Sequence, residues 1–161
     1  MRGLALFVAG IAVGLAVQTA VAQNEVVVGL NHVGLSVPSI PEAAAFYTQK
    51  MGFREAFRNT NDQGQPTAIY LQMSRNTFLE LQQSNAQRPA GINHYGLQVE
   101  NARAAVAMFR QRGATATDPT GPSGFSKAIL ANVTDLNGLR IELSELGPDS
   151  LQRKAMASWK P

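Results

Sequence analysis

The chain has 161 residues, of which 45% are hydrophobic and 16% are charged, and this balance predicts one folded domain rather than a disordered chain. The formal net charge is +3, but lysine and arginine are scattered, whereas a nucleic-acid-binding surface needs them clustered. The composition therefore argues against nucleic-acid binding. The absence of cysteine excludes disulfide bonds and a thiol nucleophile.

The first 22 residues have the parts of a secretory signal peptide. Arg2 gives a positive start, an apolar run occupies residues 4–17, and an Ala-Val-Ala sequence at the end of the segment fits a cleavage site. An uncleaved membrane anchor is the alternative, which two polar residues near the end of the segment disfavour. We expect residues 23–161 to form an exported protein, periplasmic or secreted, with no stable membrane anchor after cleavage.

The elements after this segment begin with an alternating apolar stretch, residues 26–37, which indicates a β-strand. A helix of about eleven residues follows, because Ser39 and Glu42 have the spacing of a capping box and Gly52 suits a helix end. Three short strand-like segments come next, at residues 54–58, 67–73 and 76–83. The first unit is therefore predicted to be β-α-β-β-β.

The same order of elements returns later in the chain. The segment LNHVGLSV, residues 30–37, recurs as INHYGLQV, residues 92–99, with Asn-His followed by Gly-Leu in both. Asn101 suits a helix cap and Gly113 suits the end of that helix. Further strand-like segments lie at residues 114–118, 127–133 and 139–145. The sequence predicts an α+β fold of two βαβββ modules, at about residues 26–85 and 91–146, with a C-terminal tail at 147–161.

Each module has one helix, which covers one face of its sheet and leaves the other face open. Strand alternation places His32 and His94, the only histidines, on the open faces. Glu80 and Glu142 lie on the same faces of the last strands, and each follows its histidine by 48 residues. A lone carboxylate within an apolar strand is costly, so we expect the four side chains to converge.

Two imidazoles and two carboxylates are suitable ligands for one divalent metal ion, namely Ni, Co, Zn, Mn or Fe. A histidine or a strand glutamate taken alone is more often structural, but the matched residue types, strand faces and spacing favour a metal site. Asn31 and Asn93, which precede the histidines, have the opposite strand parity and are predicted to be structural.

With these motifs, the sequence resembles the vicinal oxygen chelate superfamily, which includes glyoxalase I, methylmalonyl-CoA epimerase, extradiol dioxygenases and bleomycin-binding proteins. The resemblance covers about residues 28–146 and rests on NHVGLSV, on FYTQKMGF at the end of the first helix, and on DLNGLRIEL before the last ligand. It implies the paired βαβββ fold, one divalent metal ion per site, a small-molecule substrate with vicinal oxygens, and a homodimer.

The ligand set His32, Glu80, His94 and Glu142 is most similar to that of glyoxalase I. This similarity implies a lyase or isomerase that forms a metal-stabilised enediolate, with Glu142 or Glu80 as the catalytic base. Extradiol-type dioxygenases typically use two histidines and one glutamate, so the fourth ligand argues against that alternative. A non-catalytic, bleomycin-resistance-like binding protein is the other alternative.

Glyoxalase I usually has an arginine and an asparagine that hold glutathione, and Ser36 and Ser84 stand at those places. The comparison argues against glutathione as the substrate. Arg140 offers a positive charge to an anionic substrate, and Phe125 lies in a Gly/Ser-rich loop, residues 121–126, which is either a flap or a plain turn. The predicted substrate-binding residues are Ser36, Tyr70, Gln98, Phe125 and Arg140.

Overall fold

The computed structural model describes residues 26–160. The predicted signal peptide, residues 1–22, lies outside the described residues. The elements are β1 (Val27–Val37), α1 (Ile40–Gln49), β2 (Arg54–Thr60), β3 (Pro66–Gln72), β4 (Phe78–Gln83), β5 (Gly91–Val99), α2 (Ala102–Gln111), β6 (Ile129–Thr134), β7 (Arg140–Glu145) and α3 (Leu151–Ala157). Between residues 26 and 160, no helix has the length and apolar character needed to cross a membrane.

The seven strands form one sheet in the order β2-β3-β4-β1-β5-β7-β6. Module one comprises β1 to β4 with α1, and module two comprises β5 to β7 with α2. Within each module the first strand pairs in parallel with the last strand, as β1 with β4 and β5 with β7. The modules join where β1 pairs antiparallel with β5. The predicted α+β class and its paired modules are confirmed.

One predicted strand, residues 114–118, is not formed. This part of the chain meets the edge strand β6 through isolated bridges, Ala116 with Val133 and Thr120 with Leu130. Thr115, Thr117 and Asp118 are polar and exposed, and a proline follows, which has no N–H to donate to a strand ladder. Module two therefore has three full strands, and the prediction of a fourth was wrong.

The predicted helix caps are present. Ser39 Oγ accepts a hydrogen bond from the N–H of Glu42 at 3.4 Å, and Asn101 Oδ1 accepts one from the N–H of Ala104 at 2.8 Å. These bonds satisfy backbone donors that have no partner within the helix. Gly113 has a φ of 86°, a conformation that glycine adopts without strain, and the chain leaves α2 there.

Each module has its own apolar core between its helix and its part of the sheet. The buried residues of module one include Ile40, Ile69, Leu71 and Leu81, and those of module two include Val99, Ala102, Ala105, Val106 and Leu143. Because each helix covers a single face of its module, polar side chains can gather on the opposite face near the β1–β5 pair.

Two glycines determine how closely the histidines can lie across the β1–β5 pair. His32 lies opposite Gly96, and His94 lies opposite Gly34. A Cβ atom on either glycine would overlap the imidazole of the opposite histidine. The repeated Asn-His-x-Gly pattern therefore has a physical reason, since each module supplies the glycine that makes room for the histidine of the other module.

We expect Gly96→Ala to lower the free energy of unfolding by about 1–3 kcal/mol, because the added methyl overlaps the buried imidazole of His32. Gly29→Ala, on the same strand pair, is the matched control, because no atom lies within 4 Å of its added methyl. Urea denaturation measures both variants, and equal stabilities would contradict the steric argument.

Candidate metal centre

The four predicted ligands converge at the β1–β5 pair. The Nε2 atoms of His32 and His94 lie 3.0 Å apart. Glu80 Oε2 lies 3.0 Å from Nε2 of His94 and 3.8 Å from Nε2 of His32, and Glu142 Oε1 lies 3.6 Å from Nε2 of His32. All four residues are buried. We call them the candidate metal centre, and both modules of one chain contribute to it.

One subset of the centre is a compact group of three residues. Ligand atoms of His32, His94 and Glu142 all lie within 4.8 Å of one another. The carboxylate of Glu80 lies against both imidazoles, so it is also within reach of an ion at this place. The arrangement accommodates either three or four protein ligands.

Asn31 and Asn93 orient the two imidazoles. Asn31 Oδ1 accepts a hydrogen bond from Nδ1 of His32 at 2.8 Å, and Asn93 Oδ1 accepts one from Nδ1 of His94. An amide oxygen can only accept, so both Nδ1 atoms carry a proton and both Nε2 lone pairs face the centre. The asparagines therefore contact the predicted ligands, and the prediction that they face the packed side was wrong.

A β-bulge at each asparagine explains this error. The β1–β5 register passes from Leu30 directly to the first histidine and from the second histidine directly to Ile92, so Asn31 and Asn93 are extra residues. A bulge turns a side chain away from the face that simple alternation assigns to it. The one signal in the sequence was the repetition of asparagine before both histidines.

Each glutamate is held by side chains two residues away. Gln82 Nε2 donates to Glu80 Oε1 at 2.7 Å, and Arg140 Nη1 donates to Glu142 Oε2 at 3.0 Å. Ser144 Oγ also donates to Glu142 Oε1, at 3.2 Å. These bonds leave the other carboxylate oxygen of Glu80 facing the histidines and fix the orientation of both groups.

The centre collects hydrogen-bond acceptors in a buried space. Two Nε2 lone pairs and two carboxylates face one another, which is costly unless positive charge lies among them. Burial, partly offset by the negative charge of Glu80, lowers the pKa of His32 from 6.5 to about 4, so its imidazole is neutral at pH 7. A divalent cation suits this set of two nitrogen and two oxygen ligands.

Tyr70 and Phe125, two of the predicted substrate-binding residues, belong to an aromatic cluster with Phe57 and Phe78. The Tyr70 ring lies 5.4 Å from the His32 ring and 5.6 Å from the Phe125 ring, measured between centroids. Tyr70 and Phe78 are buried, and Phe57 stacks on Tyr70 at 4.6 Å. The aromatic cluster therefore covers the His32 side of the centre.

Hydrogen bonds of two serines, Ser123 and Ser126, hold the loop that carries Phe125. Ser126 N–H donates to Ser123 Oγ at 2.9 Å, and Ser126 O accepts from the N–H of Leu151 at 2.8 Å. The two serine hydroxyls lie 2.7 Å apart. These contacts fix the base of loop 121–126 and place Phe125 against the aromatic cluster.

Arg140 lines a cavity of about 640 Å³ that adjoins the centre, together with Gln82, Gln87, Arg88, Ile92 and Asn93. Ser36 is not part of this lining. It is buried, and its Oγ accepts a hydrogen bond from Nδ2 of Asn93 at 2.6 Å, so it supports a residue that orients a ligand. Gln98 is half-buried on β5, opposite Ser144, and is not part of the lining either.

Two paired modules, with two histidines and two glutamates gathered where they meet, define the class of the fold and of the candidate site. The family model of the Glyoxalase/Bleomycin resistance protein/Dioxygenase superfamily matches residues 29–143, and the chain belongs to this superfamily. The resemblance inferred from the motifs is thereby confirmed. Members of this superfamily are mostly enzymes that act on small molecules, typically with a divalent metal ion and often as dimers.

Individual relatives give the same family with different activities. A lactoylglutathione lyase of Salmonella typhimurium is 28% identical over 123 residues, which is 72% of this chain and 91% of the relative. The methylmalonyl-CoA epimerase from Mycobacterium tuberculosis has a TM-score of 0.66 at 23% identity, over 78% of this chain and 93% of that chain. The 2,3-dioxygenase LapB from Pseudomonas sp. KL28 has a TM-score of 0.64 at 20% identity, and the match covers 75% of this chain and 43% of that chain. The structural likenesses show the fold.

We expect Asn93→Leu to weaken metal binding about 10- to 100-fold, because leucine keeps the branching of the side chain but cannot accept the bond from His94. Asn93→Asp keeps the acceptor and should bind metal nearly as the parent does. Competition against a chromophoric chelator measures the affinity, with the exposed Asn76→Leu as the control. Unchanged affinity in Asn93→Leu would show that the hydrogen bond does not orient the ligand.

The metal-free protein should lose stability as the pH falls. The pKa of His32 is about 4 in the folded protein and 6.5 in the unfolded chain, so between these values only the unfolded chain binds the proton. Unfolding should become easier by roughly 3 kcal/mol between pH 7 and pH 4 from this residue. Chemical denaturation of the parent and of His32→Gln tests this, and identical pH slopes would contradict it.

Proposed function

We propose that this protein is an exported, divalent-metal-dependent enzyme that catalyses a lyase or isomerase reaction of the glyoxalase I type on a small substrate with vicinal oxygens. The observation that carries the proposal is the convergence of two Nε2 lone pairs and two carboxylates in one buried space. The 28% identity to a lactoylglutathione lyase supports the reaction class. Export is proposed from the predicted signal peptide, residues 1–22. A homodimer is proposed because members of the superfamily often form dimers.

His32, Glu80, His94 and Glu142 would hold the metal ion, which we expect to be Ni, Co, Zn, Mn or Fe. A divalent ion held by these residues would polarise the oxygens of the substrate and would lower the cost of removing a proton from the neighbouring carbon. The protein supplies the fixed ligand orientations, through Asn31 and the other groups that hold the ligands.

We assign the proton transfer to Glu142, with Glu80 as the second candidate. Arg140, which holds Glu142 Oε2, lines the cavity, so this carboxylate lies where a substrate would enter. Burial, with a contribution from the negative charge of Glu80, raises the pKa of Glu142, which makes the carboxylate a better proton acceptor.

The aromatic cluster would exclude water from the His32 side of the reaction. Tyr70 is 3% exposed and Phe78 is fully buried. Burial raises the pKa of Tyr70 well above 10, so its hydroxyl stays neutral and does not add a third negative charge. Because these side chains exclude water and lower the local dielectric constant, they would strengthen the electrostatic interactions within the centre.

A substrate other than glutathione is supported by Ser36. Its hydroxyl is engaged with Asn93 and is 1% exposed, so it offers no charged contact to a glutathione carboxylate. The substrate class is therefore a different compound with two neighbouring oxygens.

An extradiol-type dioxygenase is the second candidate, because His32, His94 and Glu142 form a group of two histidines and one carboxylate. Non-haem Fe(II) oxygenases use this ligand set. Glu80, as a fourth potential ligand against both imidazoles, favours the lyase or isomerase. A binding protein without metal is the remaining alternative.

Elemental analysis of residues 23–161, purified without chelator, tests the centre. We expect about one equivalent of Ni, Co, Zn or Mn per chain, lost in the double variant His32→Ala and Glu142→Ala. Iron together with oxygen uptake on catechols would favour the dioxygenase. No metal in the parent, even after metal is added back, would favour the binding protein.

Deuterium incorporation from D₂O tests the proposed proton removal without knowledge of the natural substrate. We expect the metal-loaded protein to exchange the hydrogen next to the carbonyl in a panel of 2-hydroxy aldehydes, ketones and acids, as followed by NMR. Glu142→Gln should slow exchange by about 10²- to 10⁴-fold, because the base is removed. The exposed Glu100→Gln is the control, and equal exchange by both variants would remove Glu142 from its assigned role.

A further inference from the structure

We propose that the substrate carries an acid group, a carboxylate or a phosphate, which Arg88 and Arg140 bind at the cavity beside the metal centre. The inference rests on the proposed function, because the cavity is taken as the entrance to that centre. It adds the substrate class, and it assigns a role to Arg88, which the sequence had not indicated.

The cavity adjoins the metal centre through three polar residues of its lining. Gln82 donates to Glu80, Arg140 donates to Glu142, and Asn93 accepts from His94. Three of the four members of the centre are thus in direct contact with the cavity wall. The volume of about 640 Å³ lies in the range of sites that bind small molecules.

The charges of the lining favour an anion. Arg88 and Arg140 are its ionisable residues, and no carboxylate belongs to it within the described part of the chain. Amide groups of Gln82, Gln87 and Asn93 add neutral hydrogen-bonding groups. A guanidinium binds a carboxylate or a phosphate through two parallel hydrogen bonds, which gives both affinity and orientation.

Arg88 is held in place before any ligand arrives. Its Nε and Nη2 atoms donate to the carbonyl oxygen of Gln83 at 3.3 and 2.9 Å, and its backbone N–H donates to Asn85 Oδ1 at 2.8 Å. Nη1 takes no part in these bonds. A guanidinium that is already positioned loses less conformational entropy on binding than a free side chain does.

The two arginines differ in what else they contact. Arg140 Nη1 donates to Glu142 and to Asn132 Oδ1, at 3.0 and 3.3 Å, so its removal would also disturb a predicted metal ligand. The side-chain bonds of Arg88 go to a backbone carbonyl outside the centre. Arg88 is therefore the residue whose substitution separates acid binding from metal binding.

Isothermal titration calorimetry of the purified protein with paired probes tests the inference. The pairs are 5-hydroxy-4-oxopentanoate with its methyl ester, and dihydroxyacetone phosphate with dihydroxyacetone. Each pair shares its vicinal oxygens, so the difference within a pair reports the acid group. We expect at least one acid to bind about tenfold or more tightly than its neutral partner. The pair with the larger difference identifies carboxylate or phosphate.

In Arg88→Met the affinity for that acid should fall about tenfold, while the neutral partner binds as before. Arg75→Met, which removes the same charge from an exposed turn, should change neither. Equal binding within both pairs, or an unchanged acid affinity in Arg88→Met, would overturn the inference.

The metal content of each sample keeps this result separate from the proposed function. Arg88→Met should retain as much metal as the parent, because Arg88 contacts none of the ligands. A parent that holds metal but does not distinguish acid from neutral probe contradicts only the acid subsite. A parent that holds no metal but still prefers the acid contradicts only the metal chemistry.

Discussion

The close packing of each histidine against the opposite glycine across the β1–β5 pair is the constraint on which the site depends. Gly34 and Gly96 leave the space that His94 and His32 fill, and this brings the two Nε2 atoms to 3.0 Å. The same pair joins the two halves of the sheet. Stability of the junction and geometry of the centre therefore depend on the same contacts, and neither module contains the site alone.

The junction concentrates polar groups at a cost to the folded state. Asn31 orients His32, yet its Nδ2 atom is buried without a hydrogen-bond partner in the described structure. An unsatisfied buried donor costs about 1–3 kcal/mol. The apolar cores on the helix-covered faces of both modules offset such costs.

Periodicity and repetition predicted most of the fold and the ligand set, because strand alternation and helix caps act locally. The two wrong predictions, the orientation of the asparagines and the strand at residues 114–118, also have local causes. Bulges at Asn31 and Asn93 break alternation without a glycine or proline to mark them, and residues 114–118 meet β6 through an isolated bridge at Ala116 and form no continuous ladder. The position of Arg88 depends on how the segment between the modules folds back, which no repeat or period encodes.

The ligand set is nearly symmetric, whereas its surroundings are not. Exchange of the modules relates His32 to His94 and Glu80 to Glu142, so the four ligands alone would present two equivalent sides to a substrate. The aromatic cluster covers the side of His32, and the cavity with Arg88 and Arg140 adjoins His94 through Asn93. A substrate at the candidate metal centre would thus meet two different sides, one aromatic and one lined by positive charge.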